Sequence, residues 1–320
     1  MRTRVSEMLG IDYPILQAPM GYIARAQLAA AVSQAGGMGI IETSSGDLPA
    51  IREEIVKLKD ATDKPFGLNI ALLHHANSEL MELVAEHRIR FVTTSAGDPT
   101  VLTQDLHSMG VTVFHVVPSL KGALKAAAAG VDGLVVEGNE GGGFKTWEGA
   151  ATMVLLPLVA SKVALPIVAA GGITDGRSMA AAFALGAEGV QMGTRMLSSA
   201  ESPVHQNYKQ LVVNAAETDT LLLNRESRPS FRVLRTPVAE QLAQRARVTL
   251  ADAGDLLDLY FGGRLEHGLA FGGQVAGRID TVKPVAQIIA EMIREFAAVL
   301  TDLTDRFVAG SQGPAAEPAP

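Results

Sequence analysis

The stretch EGNEGGGFK, residues 137–145, places two carboxylates and a lysine beside four glycines. Carboxylates and amines can hold or transfer a proton when they lie within hydrogen-bonding reach of a reacting group. Glycine loses more conformational freedom on folding than any other residue, so a run of glycines is costly unless something must approach the backbone closely. We therefore expect residues 138–143, the glycine loop, to lie against a bound molecule.

Other short segments combine glycine or polar residues with the end of an apolar run: QAPMG, ETSSG, LNIAL, AAGGITDG and QMGTR. Backbone N–H groups of glycine-rich turns and a helix N-terminus can bind phosphate without a lysine. The residues that would supply such a cradle are Gly171, Gly172, Gly193 and Thr194. The alternative is that these glycines only form the tight turns that strand-to-helix connections require.

The composition excludes several kinds of chemistry. The 320 residues include no cysteine, which excludes disulfides, thiolate zinc sites and a cysteine nucleophile, so redox chemistry needs a cofactor. A net charge of −7 without a run of Lys or Arg argues against nucleic acid as a partner. No apolar run suits a signal peptide or a membrane span, so we expect a soluble, cytoplasmic protein without membrane contact. No metal site is predicted, because the neighbouring His74 and His75 would point in opposite directions on an extended chain.

The elements that must position these groups alternate along the chain between strands and Ala-rich helices. The predicted strands cover residues 14–20, 38–43, 65–72, 89–96, 111–118, 131–138, 165–172 and 187–194. Such alternation is typical of parallel βαβ units, and eight of them predict a TIM (β/α)8 barrel with its site at the C-terminal ends of the strands. An open doubly wound sheet is the alternative, but no GxGxxG follows the first strand.

The pattern divides the chain into four parts. Residues 1–197 are predicted to form the barrel, and residues 198–281, the cap region, to form a small, mainly helical unit inserted after the eighth strand. Residues 282–308 have apolar residues at helical spacing and are predicted to pack back on the barrel. Residues 309–320 are predicted to be disordered.

Several motifs make the resemblance to a known family specific. QAPMG, KPFGLN, VVEGNEGGGF, IVAAGGITDGRSMAAAFALGAEGVQMGTRML and GGQVAG resemble the FMN-dependent TIM-barrel flavoproteins that include nitronate monooxygenases (formerly 2-nitropropane dioxygenases) and flavin-dependent enoyl-ACP reductases. The resemblance covers residues 4–300 and is strongest between residues 133 and 197. The same motifs also occur in some NAD(P)H:quinone reductases.

The resemblance implies an FMN cofactor and gives roles to matching positions. The backbone of residues 18–20 would face the flavin ring, Asn69 would bind its polar edge, and Gln191 would approach it from the eighth strand. The phosphate would lie in the glycine cradle defined above, and the glycine loop would approach the ring. The implied cofactor-binding residues are Ala18, Pro19, Met20, Asn69, Glu137, Gly142, Gly143, Gly171, Gly172, Gln191, Gly193 and Thr194, with Glu137 ordering the loop.

One position departs from the family pattern. Where the family has a histidine, after the sequence E-A-G-G, this chain has Phe144, which cannot transfer a proton. The residues that could serve as substitute acids or bases are Lys145, Glu140, His74, His75 and Tyr22. The candidate catalytic residues are Phe144, at the position of the implied histidine, Lys145 and His75. A lysine in a glycine loop is more often solvated than catalytic. His115 lies within the fifth strand, where it could point into the barrel, and is expected to be a satisfied core or rim histidine.

The resemblance implies flavin-dependent oxidoreduction of a small molecule. Oxidation of alkyl nitronates with O2 is the first expectation, because an anionic nitronate is already deprotonated and needs no strong base. The alternatives are NAD(P)H-dependent reduction of an enoyl-ACP or enoyl-CoA thioester or of a quinone, a catalytically silent flavin-binding protein, and a flavin-free barrel that binds a sugar phosphate. A homodimer is compatible with the sequence, which does not identify the oligomeric state.

Overall fold

A computed structural model describes residues 1–72, 77–224 and 228–308. The strands, in chain order, are β1 (Ile15–Gln17), β2 (Gly39–Ile41), β3 (Phe66–Ala71), β4 (Phe91–Ser95), β5 (Thr112–Val117), β6 (Gly133–Glu137), β7 (Gly143–Lys145), β8 (Ile167–Ala170), β9 (Gly189–Met192), β10 (Thr220–Leu223) and β11 (Ser230–Leu234). Eight of them form a parallel sheet in the order β1, β9, β8, β6, β5, β4, β3, β2. A parallel bridge between Leu16 and Met38 joins the two ends of this order. The predicted TIM barrel is therefore confirmed.

Helices connect the barrel strands and cover the outside of the sheet, as the alternating pattern predicts. The helices are α1 (Arg4–Leu9), α2 (Ala26–Gln34), α3 (Leu48–Ala61), α4 (Asn77–Glu86), α5 (Thr103–Ser108), α6 (Leu120–Ala128), α7 (Thr152–Ala160), α8 (Gly176–Ala184), α9 (Thr194–Leu197), α10 (Gln206–Val213), α11 (Pro237–Ala243) and α12 (Val285–Phe307). Polar caps define where several begin: Asp175 accepts from the Ser178 N–H at the start of α8, and Ser119 accepts from the Gly122 N–H at the start of α6. Across the described ranges, no helix combines the length and the hydropathy needed to cross a membrane.

The lower part of the barrel is filled by side chains. Every second residue of a strand points inward, and the buried inner cluster consists of Val5, Leu9, Leu16, Met38, Ile40, Phe91, Phe114, Val135, Val168 and Ala170. Phe91 and Phe114 pack edge to face, with ring centroids 5.3 Å apart. Gly67 and Gly133 make room for these two rings, since a Cβ on either glycine would lie within 2.6 Å of a ring carbon. A bound molecule must therefore occupy the upper, C-terminal end of the barrel.

The cap region contains a β-sheet that the sequence analysis did not predict. Strands β10 and β11 pair antiparallel, and β11 pairs antiparallel with β7, which directly follows the glycine loop. A buried cluster lies behind this sheet: Leu223, Phe231, Val233, Ala239, Leu242, Val248, Ala253 and Leu269. The prediction of a mainly helical cap missed this sheet because β10 and β11 are short strands of four and five residues, and because their third partner, β7, lies far away along the chain.

The chain finally returns to the barrel wall through α12, which packs on α8 and α2. Gly176, in the first turn of α8, contacts the α12 backbone at Met292 and Phe296, where a Cβ would collide. Phe183 of α8 packs edge to face on Phe296, with centroids 5.1 Å apart. The expected helix within residues 282–308 is thus present, while residues 309–320, predicted to be disordered, lie outside the described residues.

Candidate active site

The inward-facing residues of the upper barrel layer lie at the C-terminal ends of the strands, above the inner cluster. Glu137 pairs in register with Ala170, which pairs with Gln191, and paired residues of parallel strands face the same side. Glu137 and Gln191 therefore stand on either side of a single methyl group. Asn69 and Thr93 pair in the same way on β3 and β4.

Gln191 presents a hydrogen-bond acceptor that the described part of the chain leaves unsatisfied. Its side chain is 6% exposed and its Oε1 has no donor. A buried acceptor without a partner costs free energy, so Gln191 suits a bound molecule with an N–H or O–H group. Asn69 differs, because its Nδ2 donates to the backbone oxygen and Oγ1 of Thr93, each at 3.0 Å. Its Oδ1 is the atom that remains for a ligand.

The glycine turns after β8 and β9 present free backbone donors. Gly171 and Gly172 have φ angles of +87° and +76°, which only glycine adopts readily. Within the described residues, the N–H groups of Gly172, Gly193 and Thr194 have no acceptor. The Thr194 hydroxyl accepts from the Gly273 N–H at 3.0 Å, which leaves its own O–H as a donor. Three backbone N–H groups and this hydroxyl are therefore available to an anion.

The loop after β1 lies beside this cradle. The Ala18 N–H donates to the Met192 oxygen at 2.9 Å, and a Cβ on Gly193 would lie 3.6 Å from the Ala18 Cβ and 4.0 Å from the Met20 Sδ. Residues 18–20 thus lie at the same barrel mouth as the glycine turns. The loop continues to Tyr22, which has a positive φ of 62°, a conformation that costs free energy in a residue with a side chain.

Glu42, which the sequence analysis did not select, holds this loop. Its side chain is fully buried, accepts from the Tyr22 N–H at 3.0 Å and pairs with Arg25 at 2.9 Å. Its second oxygen accepts from Ser44 and Ser45. The ETSSG segment therefore organises the rim of the barrel. The sequence feature that could have identified Glu42 is a carboxylate directly after a buried strand.

The glycine loop is wedged between the barrel and the cap region. A Cβ on Gly142 would lie 2.7 Å from the carbonyl carbon of Gly272, and the Gln274 N–H donates to the Glu140 oxygen at 2.9 Å. Gly143 has a positive φ of +81° and open space around it. Gly142 is thus required for close approach of the backbone to the cap region, whereas the contact of the glycine loop with a bound molecule stays a prediction.

Lys145 is buried, contrary to the expectation of a solvated lysine. Its side chain is 4% exposed, and its Nζ forms an ion pair with Glu137 Oε1, whose side chain is 27% exposed. A Cβ on Gly141 would lie 2.7 Å from that oxygen and 3.1 Å from Nζ, so the glycine loop covers the pair. Successive residues of a strand point to opposite faces, which directs Lys145 to the barrel and Phe144 away from it.

Phe144 stands in an aromatic group at the junction of barrel and cap region. Its ring packs edge to face on Phe231, at 5.4 Å between centroids, and stacks on Phe271 at 6.3 Å. It is nevertheless 54% exposed. The Tyr208 hydroxyl donates to the Phe271 oxygen at 2.7 Å, which holds the segment that carries Phe271. Phe144 thus presents an apolar surface at the position where the resemblance implies a histidine.

Other charged groups in this area have structural partners. Glu140 accepts from the Thr152 N–H at 3.0 Å and caps α7. Arg232 of β11, which the sequence analysis missed, is 8% exposed and donates through Nε to the Asn139 oxygen at 2.9 Å. Burial lowers the pKa of Arg232, and the negative charge of Glu140 raises that pKa by a smaller amount.

The His115 side chain does not face the interior of the barrel. His115 faces the helix layer, because its strand neighbours point into the barrel, and its Nδ1 lies 2.7 Å from the Thr94 hydroxyl. Burial lowers the pKa of His115 to about 4. It is therefore a satisfied core histidine, as expected. His74 and His75 lie outside the described residues.

Comparison with known proteins places this site in a family. A family model described as nitronate monooxygenase matches residues 2–82 and 77–295. The chain belongs to the nitronate monooxygenase family. Proteins of this family are flavin-dependent oxidoreductases, so this member is an oxidoreductase as well.

Individual known proteins resemble the chain over most of its length. FabK from Thermotoga maritima is 41% identical, with a TM-score of 0.91, and the match covers 95% of this chain and 99% of that one. The (3aS,4S,5R,7aS)-5-hydroxy-7a-methyl-1-oxo-octahydro-1H-indene-4-carboxyl-CoA dehydrogenase of Mycobacterium tuberculosis is 37% identical over 250 residues, 77% of this chain and 70% of the relative. A probable nitronate monooxygenase of Staphylococcus saprophyticus is 31% identical over 272 residues, 70% of this chain and 76% of the relative.

Proposed function

We propose that this family member is an FMN-dependent oxidoreductase that acts on the thioester of an apolar acid, at the carbon–carbon bond next to the thioester carbonyl. The observation that carries the substrate class is the aromatic group of Phe144, Phe231 and Phe271 at the junction of the barrel and the cap region, where the Phe144 ring is 54% exposed. A relative with 37% identity is named as a dehydrogenase of a bicyclic carboxyl-CoA thioester, which supports the same class.

The residues present fit FMN. The free N–H groups of Gly172, Gly193 and Thr194 suit its phosphate, and the orphaned Oε1 of Gln191 suits an N–H of its ring. Residues 18–20 and Asn69 would complete the ring contacts. Bound FMN supplies the two-electron redox chemistry that the side chains of a cysteine-free chain lack.

The protein's own contribution is to bind and orient the substrate. Phe144 cannot hold a proton, so its role is to contact an apolar acyl group and to exclude water from it. Phe231, which is 1% exposed, and Phe271 fix the position of that ring. A half-exposed phenyl ring on a rigid support gains from being covered by an apolar ligand. A small alkyl nitronate would cover much less of it.

The test uses purified protein loaded with FMN and kept without oxygen. We expect cyclohexanecarboxyl-CoA to bleach the flavin absorbance, or cyclohex-1-enecarboxyl-CoA to restore it after reduction by NAD(P)H. Phe144→Ala should raise KM for these thioesters, whereas Phe261→Ala, which removes another exposed ring of the cap region (43% exposed), should leave it unchanged. Flavin that responds to neither thioester would exclude the proposed substrate class.

Nitronate oxidation is the second candidate, and two observations favour it. The matching family model is that of nitronate monooxygenases, and the site combines a buried cation, Lys145, with no histidine at the Phe144 position. An anionic nitronate needs a positive charge but no base. Bleaching by ethylnitronate, with no response to either thioester or to NAD(P)H, would establish this candidate instead. Phe144→His would then be expected to add turnover of neutral nitroethane.

A further inference from the structure

Lys145 has more hydrogen-bond donors than the protein uses. An ammonium group carries three N–H donors, and Glu137 Oε1 is the acceptor that the described residues provide. The side chain is only 4% exposed, so bulk water does not reach the group freely. Burying a charged donor with unused N–H groups is costly, which makes the arrangement unusual for a purely structural ion pair.

The ion pair is covered on one side by the glycine loop. Gly141 covers the pair so closely that a Cβ would lie 2.7 Å from Glu137 Oε1 and 3.1 Å from Lys145 Nζ. Glu137 itself points into the barrel, in the layer that it shares with Ala170 and Gln191. The ammonium group that pairs with Glu137 is therefore held beside the upper layer of the barrel.

Lys145 and Gln191 are complementary across this layer. Lys145 has unused donors and a positive charge, whereas Gln191 Oε1 is a buried acceptor without a donor in the described structure. One strand, β8, lies between the strands that carry Glu137 and Gln191, and its residue in register with both is Ala170. A molecule that offers an electron-rich oxygen near Lys145 and a donor near Gln191 would satisfy both.

We propose that Lys145 is a ligand-binding residue whose ammonium group, held by Glu137, donates hydrogen bonds to an electron-rich oxygen of the molecule at the barrel mouth. Such an oxygen belongs either to a carbonyl of the flavin ring or to the substrate, as a thioester carbonyl or a nitronate oxygen. The inference rests on the proposed function in that flavin occupies the mouth. The inference adds a residue that acts in place of the histidine implied at the Phe144 position. Lys145 would act through its charge and not through proton transfer.

The test compares Lys145→Met and Lys145→Arg with Lys162→Met, a matched change at an exposed lysine. Three quantities are measured on FMN-loaded protein: the Kd of FMN, the flavin midpoint potential, and the KM of cyclohexanecarboxyl-CoA and of ethylnitronate. If the oxygen belongs to the flavin, Lys145→Met weakens FMN binding about tenfold or more and makes the potential more negative. If it belongs to the substrate, FMN affinity and potential are retained and KM rises by about the same factor.

Lys145→Arg, which retains the charge, is expected to recover most of the lost affinity in either case. If Lys145→Met does not fold, Lys145→Gln replaces it, because the amide keeps N–H donors while it loses the charge. A folded Lys145→Met protein that matches Lys162→Met in all three quantities would overturn the inference. Wild-type protein that takes up no FMN would instead overturn the proposed function, so the two failures are distinguishable.

Discussion

The Glu137–Lys145 ion pair should show a marked asymmetry when either partner is removed. Glu137→Met leaves an ammonium group whose side chain is 4% exposed, whereas Lys145→Met leaves a carboxylate whose side chain is 27% exposed. Breaking a buried pair costs about 3–5 kcal/mol because the remaining charge is uncompensated, and we expect this for Glu137→Met. The carboxylate left by Lys145→Met can be hydrated, so the cost should be about 1–3 kcal/mol.

The double variant completes the argument. Glu137→Met/Lys145→Met leaves two apolar side chains in contact and no buried charge, so its cost should be smaller than the sum of the single changes by about 0.5–3 kcal/mol. Urea unfolding followed by far-UV circular dichroism gives these free energies, at one fixed FMN concentration because a ligand of the folded state adds stability. Arg306→Met, at an ion pair with 63% and 54% exposed side chains, is the control and should change stability little. Equal costs for the two single variants, or strict additivity, would refute the burial argument.

Three further changes test other parts of the structure. Gly142→Ala should destabilise the protein by about 1–3 kcal/mol through overpacking and make the cap region more sensitive to protease. Gly143→Ala, with no neighbour within 4 Å, should affect only the local backbone. Equal protease sensitivity of the two variants would contradict this. His115 has a folded-state pKa of about 4 because of burial, below its unfolded value, so the protein should lose stability as the pH falls from about 6.5 towards 4. His115→Asn should show a shallower loss in acid unfolding titrations, and an unchanged slope would show that His115 does not titrate as stated. Arg232→Met removes buried charged hydrogen bonds and should lower the free energy of unfolding by about 1.5–3 kcal/mol, which is measured as a lower midpoint of thermal unfolding. Arg235→Met, at a 41% exposed side chain, should leave the midpoint unchanged. Similar midpoints for both variants would count against a role of Arg232 in holding the glycine loop.

The fold was largely predictable because its signals are local. Each barrel strand is a short apolar run and each connection a helical pattern with a polar cap, so a window of a few residues contains the information. The glycines after β8 and β9 mark positions where the backbone needs a positive φ or free N–H groups, and Gly171 and Gly172 have that geometry. The motif QAPMG and the departure at Phe144 were likewise visible along the chain.

The environment of the site residues was decided by tertiary contacts. The pairing of Lys145 with Ser230 and of Phe144 with Phe231 joins segments far apart in sequence, and no local pattern encodes which distant strand a three-residue strand will join. That pairing turns Lys145 towards Glu137 and Phe144 towards the cap region.

The sequence by itself therefore determined the barrel, the family and the positions along the chain where a site could form, since backbone propensity and periodicity are properties of neighbouring residues. Only the tertiary structure decided that a lysine expected in solvent is buried on a carboxylate, that Gln191 keeps an unpaired acceptor and that Gly142 serves contact with the cap region. Burial, pairing and charge compensation depend on which segments meet in space, and these segments meet only once the chain has folded.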